Sequence, residues 1–262
     1  MVTEKQKREY MSNLKGKVAV ITGGNSGIGY ATAKDMKAEG ADVIITGRNK
    51  ERVDAAAQEL GVIGMVADVS DLKQIDALVE QVREKKGTID ALFVNAGVFQ
   101  GAPIGQNSEE SFDYQMNINF KGAVFTVEKF LPLINRGGSI VNLSSVNAYT
   151  GMPMTSVYAA SKAALDSYTR TAATELAPRG IRINSVNPGP IETPIFSKTG
   201  MPNEMIEQFG AAIQKAIPMN RFGKAEEVAK LVTFLSSHDA SFITGSHHVV
   251  DGGMNINQGA SM

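Results

Sequence analysis

The chain has 262 residues, of which 43% are hydrophobic and 20% charged, and its formal net charge is −1. This balance is ordinary for a globular protein, and the near-neutral charge provides no global field that would attract nucleic acid or an anionic membrane. The chain contains no cysteine, which excludes disulfides, cysteine nucleophiles and thiolate metal sites and fits a reducing compartment.

The first 16 residues are polar and carry both signs of charge. They lack the apolar core of a secretion signal, and no stretch of the chain approaches the roughly 18 apolar residues of a membrane helix. We therefore predict a solvated arm at 1–16, or alternatively an arm that contacts another subunit, followed by a single domain at 17–262. We expect a cytoplasmic protein whose partners include neither nucleic acid nor a membrane.

Short β-branched runs alternate with longer helical patterns along this domain. Strands are predicted at 17–22, 42–46, 62–68, 90–97, 139–145, 181–189 and 247–251. The helical patterns between them end near Glu39, Leu60, Lys85, Leu133 and Ala177, and a last helix lies near 225–236. This alternation predicts parallel βαβ units. The predicted fold is a doubly wound (Rossmann) α/β domain, with a mostly parallel seven-stranded sheet and helices on both faces.

A glycine-rich turn, TGGNSGIG at 22–29, follows the first predicted strand and opens the first predicted helix. Gly23, Gly27 and Gly29 can serve the tight turn, the close approach of a pyrophosphate and the packing of helix on sheet. The N–H groups at the start of the helix would then face the anion. A flexible turn is the alternative, but the strand–turn–helix context favours nucleotide binding.

Tyr158 and Lys162, in the segment YAASK, stand four positions apart in a predicted helix, so both side chains lie on one face. A free phenol has a pKa of about 10, and a nearby cation favours the phenolate and lowers that pKa. The pair could therefore act as an acid–base group near neutral pH if both groups are partly desolvated. Such a pair on its own is also common on surfaces without any function.

The chain resembles the short-chain dehydrogenase/reductase family from about Lys17 to about Asn255. The resemblance rests on motifs that stand in the family's order, namely TGGNSGIG, NAG at 95–97, NFKG at 119–122, the serine pair 144–145, YAASK, PGPIET at 188–193 and VDGG at 250–253. It implies hydride transfer between a nicotinamide cofactor and a ketone or secondary alcohol.

Four catalytic residues follow from this resemblance. In reduction Tyr158 would donate the proton, and Lys162 would hydrogen-bond the nicotinamide ribose and lower the pKa of Tyr158. Ser145, thirteen residues before Tyr158, would orient the carbonyl, whereas strand alternation should point Ser144 the other way. Asn119 would hold a water that connects Lys162 to solvent, although a satisfied polar contact is the alternative for this asparagine.

The resemblance also implies a set of cofactor-binding residues. Asp68 resembles the acceptor of the adenine amine, with capping of the next turn as an equal alternative, and Thr193 resembles the hydroxyl that holds the nicotinamide carboxamide. The NAG turn would pack against the cofactor. The full set is Gly23, Asn25, Ser26, Gly27, Ile28, Gly29, Arg48, Asp68, Val69, Asn95, Ala96, Gly97, Tyr158, Lys162, Pro188, Gly189, Ile191 and Thr193.

The end of the second predicted strand bears on the choice of cofactor. Gly47 stands where an acidic residue would select NAD, and Arg48 follows it. A guanidinium can bind a 2′-phosphate through charge-assisted hydrogen bonds, so we predict that NADP(H) is preferred and NAD(H) possible. Arg48 could instead be a solvated loop cation, and Ser26 replaces the second basic residue that many NADP-using relatives carry in the glycine turn.

Residues 195–222 interrupt the alternation and resemble the family's mobile substrate lid. Their apolar side chains (Ile195, Phe196, Met201, Met205, Ile206 and Phe209) suit a hydrophobic ketone or alcohol, although packing on the core is the alternative. We therefore predict a carbonyl reductase or alcohol dehydrogenase. The other hypotheses are a 3-oxoacyl-carrier-protein reductase, a sugar dehydrogenase, and a regulator that senses NADP without turnover.

No metal is expected at this site. His238 is isolated in sequence, and His247 and His248 are neighbours on a predicted strand, so they face opposite sides. Family members of this size are commonly tetramers. The resemblance therefore implies a homotetramer in which the helices bearing Asn119 and Tyr158 form one contact.

Overall fold

The computed structural model describes residues 14–193 and 203–256. Most of the predicted arm, 1–13, lies outside these residues. Residues 195–202, the first part of the predicted lid, also lie outside the described residues. The same holds for the side chains of the apolar lid residues named above. What the structure describes of the later lid segment is a helix and the turn after it, in which Ile213 and Ile217 are buried.

Seven parallel strands form the central sheet, in the order β3-β2-β1-β4-β5-β6-β9. The described strands are β1 (Val18–Ile21), β2 (Asp42–Gly47), β3 (Ile63–Val66), β4 (Ile89–Val94), β5 (Ile134–Leu143), β6 (Arg182–Pro188), β7 (Ile191–Glu192), β8 (Gly223–Lys224) and β9 (His247–Val250). Strands β7 and β8 pair only with each other. The doubly wound prediction is confirmed, and every described neighbour pair in the seven-stranded sheet is parallel.

Helices connect the strands and cover the sheet. They are α1 (Gly27–Ala38), α2 (Lys50–Leu60), α3 (Leu72–Lys86), α4 (Glu109–Met116), α5 (Ala123–Phe130), α6 (Ser156–Leu176), α7 (Asn203–Ala216) and α8 (Ala225–Ser236). Polar side chains cap the first turns of two of these helices. Asn49 accepts a hydrogen bond from the Arg52 N–H at the start of α2, and Asp71 accepts one from the Lys73 N–H at the start of α3. Among the described residues, no helix is both long and apolar enough to cross a membrane.

The strands are buried because both faces of the sheet carry a core. Along β1, Val20 packs into one hydrophobic cluster while Ala19 and Ile21 pack into the other. Strand β4 repeats this pattern with Leu92 and Phe93. This two-sided burial explains why the strands are continuous β-branched runs rather than alternating ones.

The prediction of one continuous helix from Glu109 to Leu133 is wrong. The structure divides it into α4, a π-helical segment at Asn117–Gly122, α5 and a short 3₁₀ turn at Leu131–Leu133. Gly122 explains part of this, because a Cβ there would lie 2.6 Å from the carbonyl oxygen of Val69. The segment therefore packs closer to the sheet than a side chain would permit, and it places Asn119 beside the cavity described next.

Candidate active site

A cavity of about 940 Å³ opens at the carboxyl ends of the strands, on both sides of the β1–β4 pair where the strand order reverses. Most predicted cofactor residues line it: Gly23, Asn25, Ser26, Gly27, Ile28, Arg48, Asp68, Val69, Asn95, Ala96, Gly97, Tyr158, Lys162 and Thr193. The volume and the strand-end location suit a dinucleotide.

Four predicted cofactor residues, Gly29, Pro188, Gly189 and Ile191, are not among the lining residues. A Cβ on Gly29 would sit 2.5 Å from both Asn95 Nδ2 and the Gly23 carbonyl oxygen, so this glycine packs the helix against the turn. Gly189 packs equally closely against Asp251, and its N–H donates to the Val250 carbonyl. Pro188 ends β6 and Ile191 begins β7. These residues shape the backbone around the cavity rather than its surface.

The glycine turn allows a ligand in the cavity to approach the backbone closely. Gly23 and Gly27 have φ values of 64° and 54°, in the left-handed region that favours glycine. Helix α1 begins at Gly27, and Ser26, its N-cap, makes no side-chain capping hydrogen bond. The first N–H groups of α1 therefore border the cavity without a side-chain cap from Ser26, which is the arrangement that receives a phosphate.

The end of β2 leaves little room for a side chain at Gly47. A Cβ on Gly47 would lie 2.6 Å from Asn25 Oδ1 and 3.0 Å from a methyl of Val53, so an acid would not fit there without rearrangement. Arg48 and Arg52 are both exposed and both line the cavity. Sequence reasoning missed Arg52, although its position four residues after Arg48 at the start of a helix was a usable signal.

Asp68 caps the turn that follows it, which was one of the two interpretations offered for this residue. Its Oδ1 accepts hydrogen bonds from the N–H and the hydroxyl of Ser70, at 2.9 and 2.7 Å, which caps the turn before α3. The residue nevertheless lines the cavity. One carboxylate oxygen is thus engaged in the turn, and the contact with an adenine amine stays a prediction.

The NAG turn is tied to both β1 and the π-helical segment. Thr22 Oγ1 accepts from the N–H groups of Asn95 and Ala96, at 2.9 and 3.1 Å. Asn119 accepts from the Val98 N–H at 2.8 Å and donates to the Val98 carbonyl at 2.9 Å. A further bond from Asn119 Nδ2 reaches Ser161 Oγ at 3.2 Å. Asn119 is therefore a buried clamp, as the polar-contact alternative expected, and its side chain is outside the cavity lining.

Tyr158 and Lys162 line the cavity, whereas Ser145, which contacts Tyr158, is not among the lining residues. Lys162 Nζ lies 5.7 Å from the centre of the Tyr158 ring and donates to the Leu143 carbonyl at 2.7 Å. Ser145 is buried two residues beyond β5, and its hydroxyl hydrogen-bonds Tyr158. Ser144 Oγ instead donates to the main-chain oxygen of Lys162. The spacing predictions for Tyr158, Lys162 and Ser145 thus bring these three side chains together.

The direction of the Tyr158 pKa is opposite to our expectation. Burial raises this pKa above 10, and the hydrogen bond from Ser145 lowers it by less. Burial also lowers the pKa of Lys162 to about 8, although the charge of Asp166 opposes that change. The loss of water around the phenolate thus outweighs the hydrogen bond from Ser145. The expectation of a lowered Tyr158 pKa is therefore wrong for this geometry.

Several lining residues were not identified from the sequence. Phe99 is the most prominent, because its ring meets the Tyr158 ring edge-on with centroids 5.3 Å apart. The others are Thr46, Asn49, Ala67, Val98, Gln100, Tyr114, Ile118 and Leu143. Most lie near the carboxyl end of a predicted strand, either within the strand or just after it, which was the available signal. Among the described residues, no group of three or more potential ligands gathers into a metal site.

Several known proteins are similar to this chain over nearly its whole length. A family model described as "Enoyl-(Acyl carrier protein) reductase" matches residues 23–255. A Thermotoga maritima protein named 3-oxoacyl-[acyl-carrier-protein] reductase FabG is 43% identical over 93% of this chain and 99% of its own. Galactitol 2-dehydrogenase from Agrobacterium fabrum is 36% identical over 92% and 98%. The crystal structure of levodione reductase superposes with a TM-score of 0.89 at 34% identity, covering 93% and 99%.

Proposed function

The chain belongs to the short-chain dehydrogenase/reductase family, and from that premise we propose that it is an NADP(H)-preferring carbonyl reductase or alcohol dehydrogenase. At the coarser level it is an NAD(P)-dependent oxidoreductase that acts on a CH–OH or C=O group of a small molecule. The finer proposal concerns the cofactor, the substrate class and the residue that moves the proton.

The cofactor preference is supported by the end of β2. Position 47 carries no carboxylate, and two guanidinium groups, Arg48 and Arg52, line the cavity beside it. An adenosine ribose with free hydroxyls would find no acceptor at position 47, whereas a 2′-phosphate would find two cations that can donate in a planar fork. This pair of arginines beside Gly47 is the observation that carries the NADP(H) proposal.

The proton chemistry follows from Tyr158 and its neighbours. A bound NADP(H) would supply or accept the hydride. Because burial keeps the pKa of Tyr158 above 10, the phenol is protonated at neutral pH and can donate to a developing alkoxide. Ser145, hydrogen-bonded to Tyr158, would donate to the same oxygen and orient the carbonyl. Lys162 would hold its charge below pH 8 beside the ring and bind the ribose.

A second candidate is reduction of a 3-oxoacyl group on a carrier protein. The relative from Thermotoga maritima carries that name at 43% identity over nearly the whole length of both chains. The chemistry at Tyr158 would be the same, so only the substrate separates the two proposals. A carrier-bound 3-oxoacyl substrate turned over far more efficiently than free ketones would favour this second candidate.

The test of the cofactor proposal is kcat/KM for NADPH and NADH over a panel of ketones and alcohols. We expect NADPH to be used more efficiently, and Arg48→Ala to lower kcat/KM for NADPH by about tenfold or more while leaving NADH within about twofold. Lys50→Ala is the matched control, because Lys50 lies on the same turn but pairs with Asp54. More efficient use of NADH by the wild type, or an equal loss with both cofactors, would contradict the proposal.

We also propose that the enzyme is a cytoplasmic homotetramer. Exposed apolar side chains support assembly: Phe112 and Phe125 on α4 and α5, and Phe234 and Val249 on α8 and β9, are each at least 36% exposed. Light scattering should give four times the chain mass of 27.9 kDa, and a monomer at micromolar concentration would overturn the assembly proposal.

A further inference from the structure

A buried carboxylate lies one helical turn beyond Lys162, and the mechanism above gives it no role. Asp166 on α6 is only 5% exposed. Its Oδ2 accepts a hydrogen bond from Asn187 Nδ2 at 2.7 Å. Its Oδ1 has no hydrogen-bond partner among the described residues and lies 3.6 Å from His247 Nδ1. Burying a carboxylate in this position costs free energy unless hydrogen bonds or nearby positive charges compensate for the lost water.

Asn187, at the end of β6, connects this carboxylate to the active site. The same Nδ2 group that donates to Asp166 also donates to the main-chain oxygen of Ser145, at 3.3 Å. The other end of the amide, Oδ1, accepts from Ser185 Oγ at 2.8 Å. Asn187 is completely buried, so its amide bridges α6 and the peptide of Ser145 without competition from solvent.

The direction of the remaining hydrogen bonds can be assigned. The single hydrogen of Ser185 Oγ points to Asn187, so in the 2.6 Å contact with Ser185 it is His247 Nδ1 that must donate. The other ring nitrogen, Nε2, then accepts from Arg170 Nη1 at 2.8 Å. Each donor from Arg170 through His247, Ser185 and Asn187 therefore points toward the carboxylate of Asp166.

We propose that Asp166 is a positioning residue of the active site, which through Asn187 fixes the peptide of Ser145 and through its charge holds Lys162 in its ammonium form. This inference deepens the proposed function and rests on it for the roles of Ser145 and Lys162. The juxtaposition itself depends only on the geometry of α6, β6 and β9.

The electrostatic half of the proposal has a defined sign. The charged and titratable groups that face Asp166 are Lys162 on its own helix, His247 on β9 with Arg170 behind it, and Tyr149 after β5. Burial lowers the pKa of Lys162 to about 8, and the charge of Asp166 opposes that change. Without this charge the pKa of Lys162 falls further, so the ammonium is lost at a lower pH.

The first experiment reads Lys162 directly and does not depend on finding a substrate. Protein carrying lysine labelled with ¹³C at Cε is titrated by NMR, and Lys162→Met identifies the signal. We expect Asp166→Asn, which keeps an oxygen for Asn187 but removes the charge, to lower the Lys162 midpoint by about one pH unit, a tenfold change in proton affinity. Glu175→Gln, which removes an exposed carboxylate from the same helix, should leave it unchanged. An unmoved midpoint in folded Asp166→Asn would overturn the electrostatic role.

A second variant tests the positioning role and remains available if Asp166→Asn does not fold. Asn187→Ala keeps the carboxylate but removes the link to Ser145. We expect kcat for NADPH-dependent reduction of the best ketone of the panel to fall by about tenfold, with NADPH affinity by fluorescence titration unchanged. An unchanged kcat would overturn the positioning role. If no ketone is reduced by the wild type, the proposed function fails, but the Lys162 titration still decides the role of Asp166.

Discussion

At the scale of single residues, burial is the main influence on the pKa values of two side chains on one face of α6, Tyr158 and Lys162. The spacing of Tyr158 and Lys162 predicted that both side chains would share a face, and the structure confirms their proximity. The sign of the Tyr158 pKa could not be predicted, because helical spacing says nothing about how much water each group loses on folding. Both groups lose water, so the phenol keeps its proton more firmly and the ammonium keeps its proton less firmly.

Tyr158→Phe isolates the proton donor. We expect this change to lower kcat for ketone reduction by about a thousandfold, because it removes the phenolic hydroxyl and leaves the ring contact with Phe99. NADPH affinity, measured by fluorescence titration, should change by less than about threefold. Tyr168→Phe, on the same helix but bonded to Glu128, is the control and should retain activity. A near-normal kcat for Tyr158→Phe would mean that another group delivers the proton.

The pH dependence of reduction should report Lys162. Reduction requires the Tyr158 phenol, whose pKa is raised by burial, and the Lys162 ammonium, whose pKa is about 8. A group with a lowered pKa loses its proton earlier, so kcat for NADPH-dependent reduction should fall as the pH rises through about 8. Lys162→Arg should have a lower maximal kcat because a guanidinium does not reproduce the ammonium geometry. Its kcat should not decrease as the pH rises through about 8, because the guanidinium keeps its proton. The same midpoint in both proteins would assign it to a different group.

At the scale of elements, the π-helical segment is what the sequence could not predict. The sequence predicted one helix from Glu109 to Leu133, and no residue type encodes the change from i→i+4 to i→i+5 bonding. The segment depends on a tertiary contact, the approach of Gly122 to the Val69 carbonyl. The strands of the seven-stranded sheet were predicted to within three residues, except that β5 begins five residues earlier than predicted, because burial on both faces gives continuous apolar runs.

Gly122→Ala should therefore destabilise the protein. Its Cβ would lie 2.6 Å from the Val69 carbonyl oxygen and force the segment away from the strand end. We expect a loss of about 1–3 kcal/mol in the free energy of unfolding, read as a lower midpoint in urea. Gly210→Ala is the matched control within α7, where a Cβ would meet nothing within 4 Å, and helix propensity should make it neutral or slightly stabilising. Equal effects of the two changes would contradict the packing account of Gly122.

At the scale of the whole molecule, the topology determines which distant residues meet. The glycine turn, the end of β2, the NAG turn and Tyr158 are up to 135 positions apart in sequence, yet they line one cavity because parallel strands end at the same edge. Their meeting could be predicted from the alternation of strands and helices. The network from Arg170 to Asp166 could not, because it depends on β9 pairing beside β6 and on rotamers that no sequence pattern fixes.

The transfer of a hydride to a carbonyl carbon is the central claim, and isotope tracing tests it most directly. NADPH carrying deuterium at C4 of the nicotinamide, on either face, would be incubated with the protein and a panel of ketones. The deuterium content of the resulting alcohols would then be measured by mass spectrometry. We predict that one of the two labelled cofactors places a single deuterium on the carbinol carbon of at least one alcohol. Tight binding of NADPH with no labelled alcohol from any ketone or carrier-bound 3-oxoacyl substrate would contradict the account.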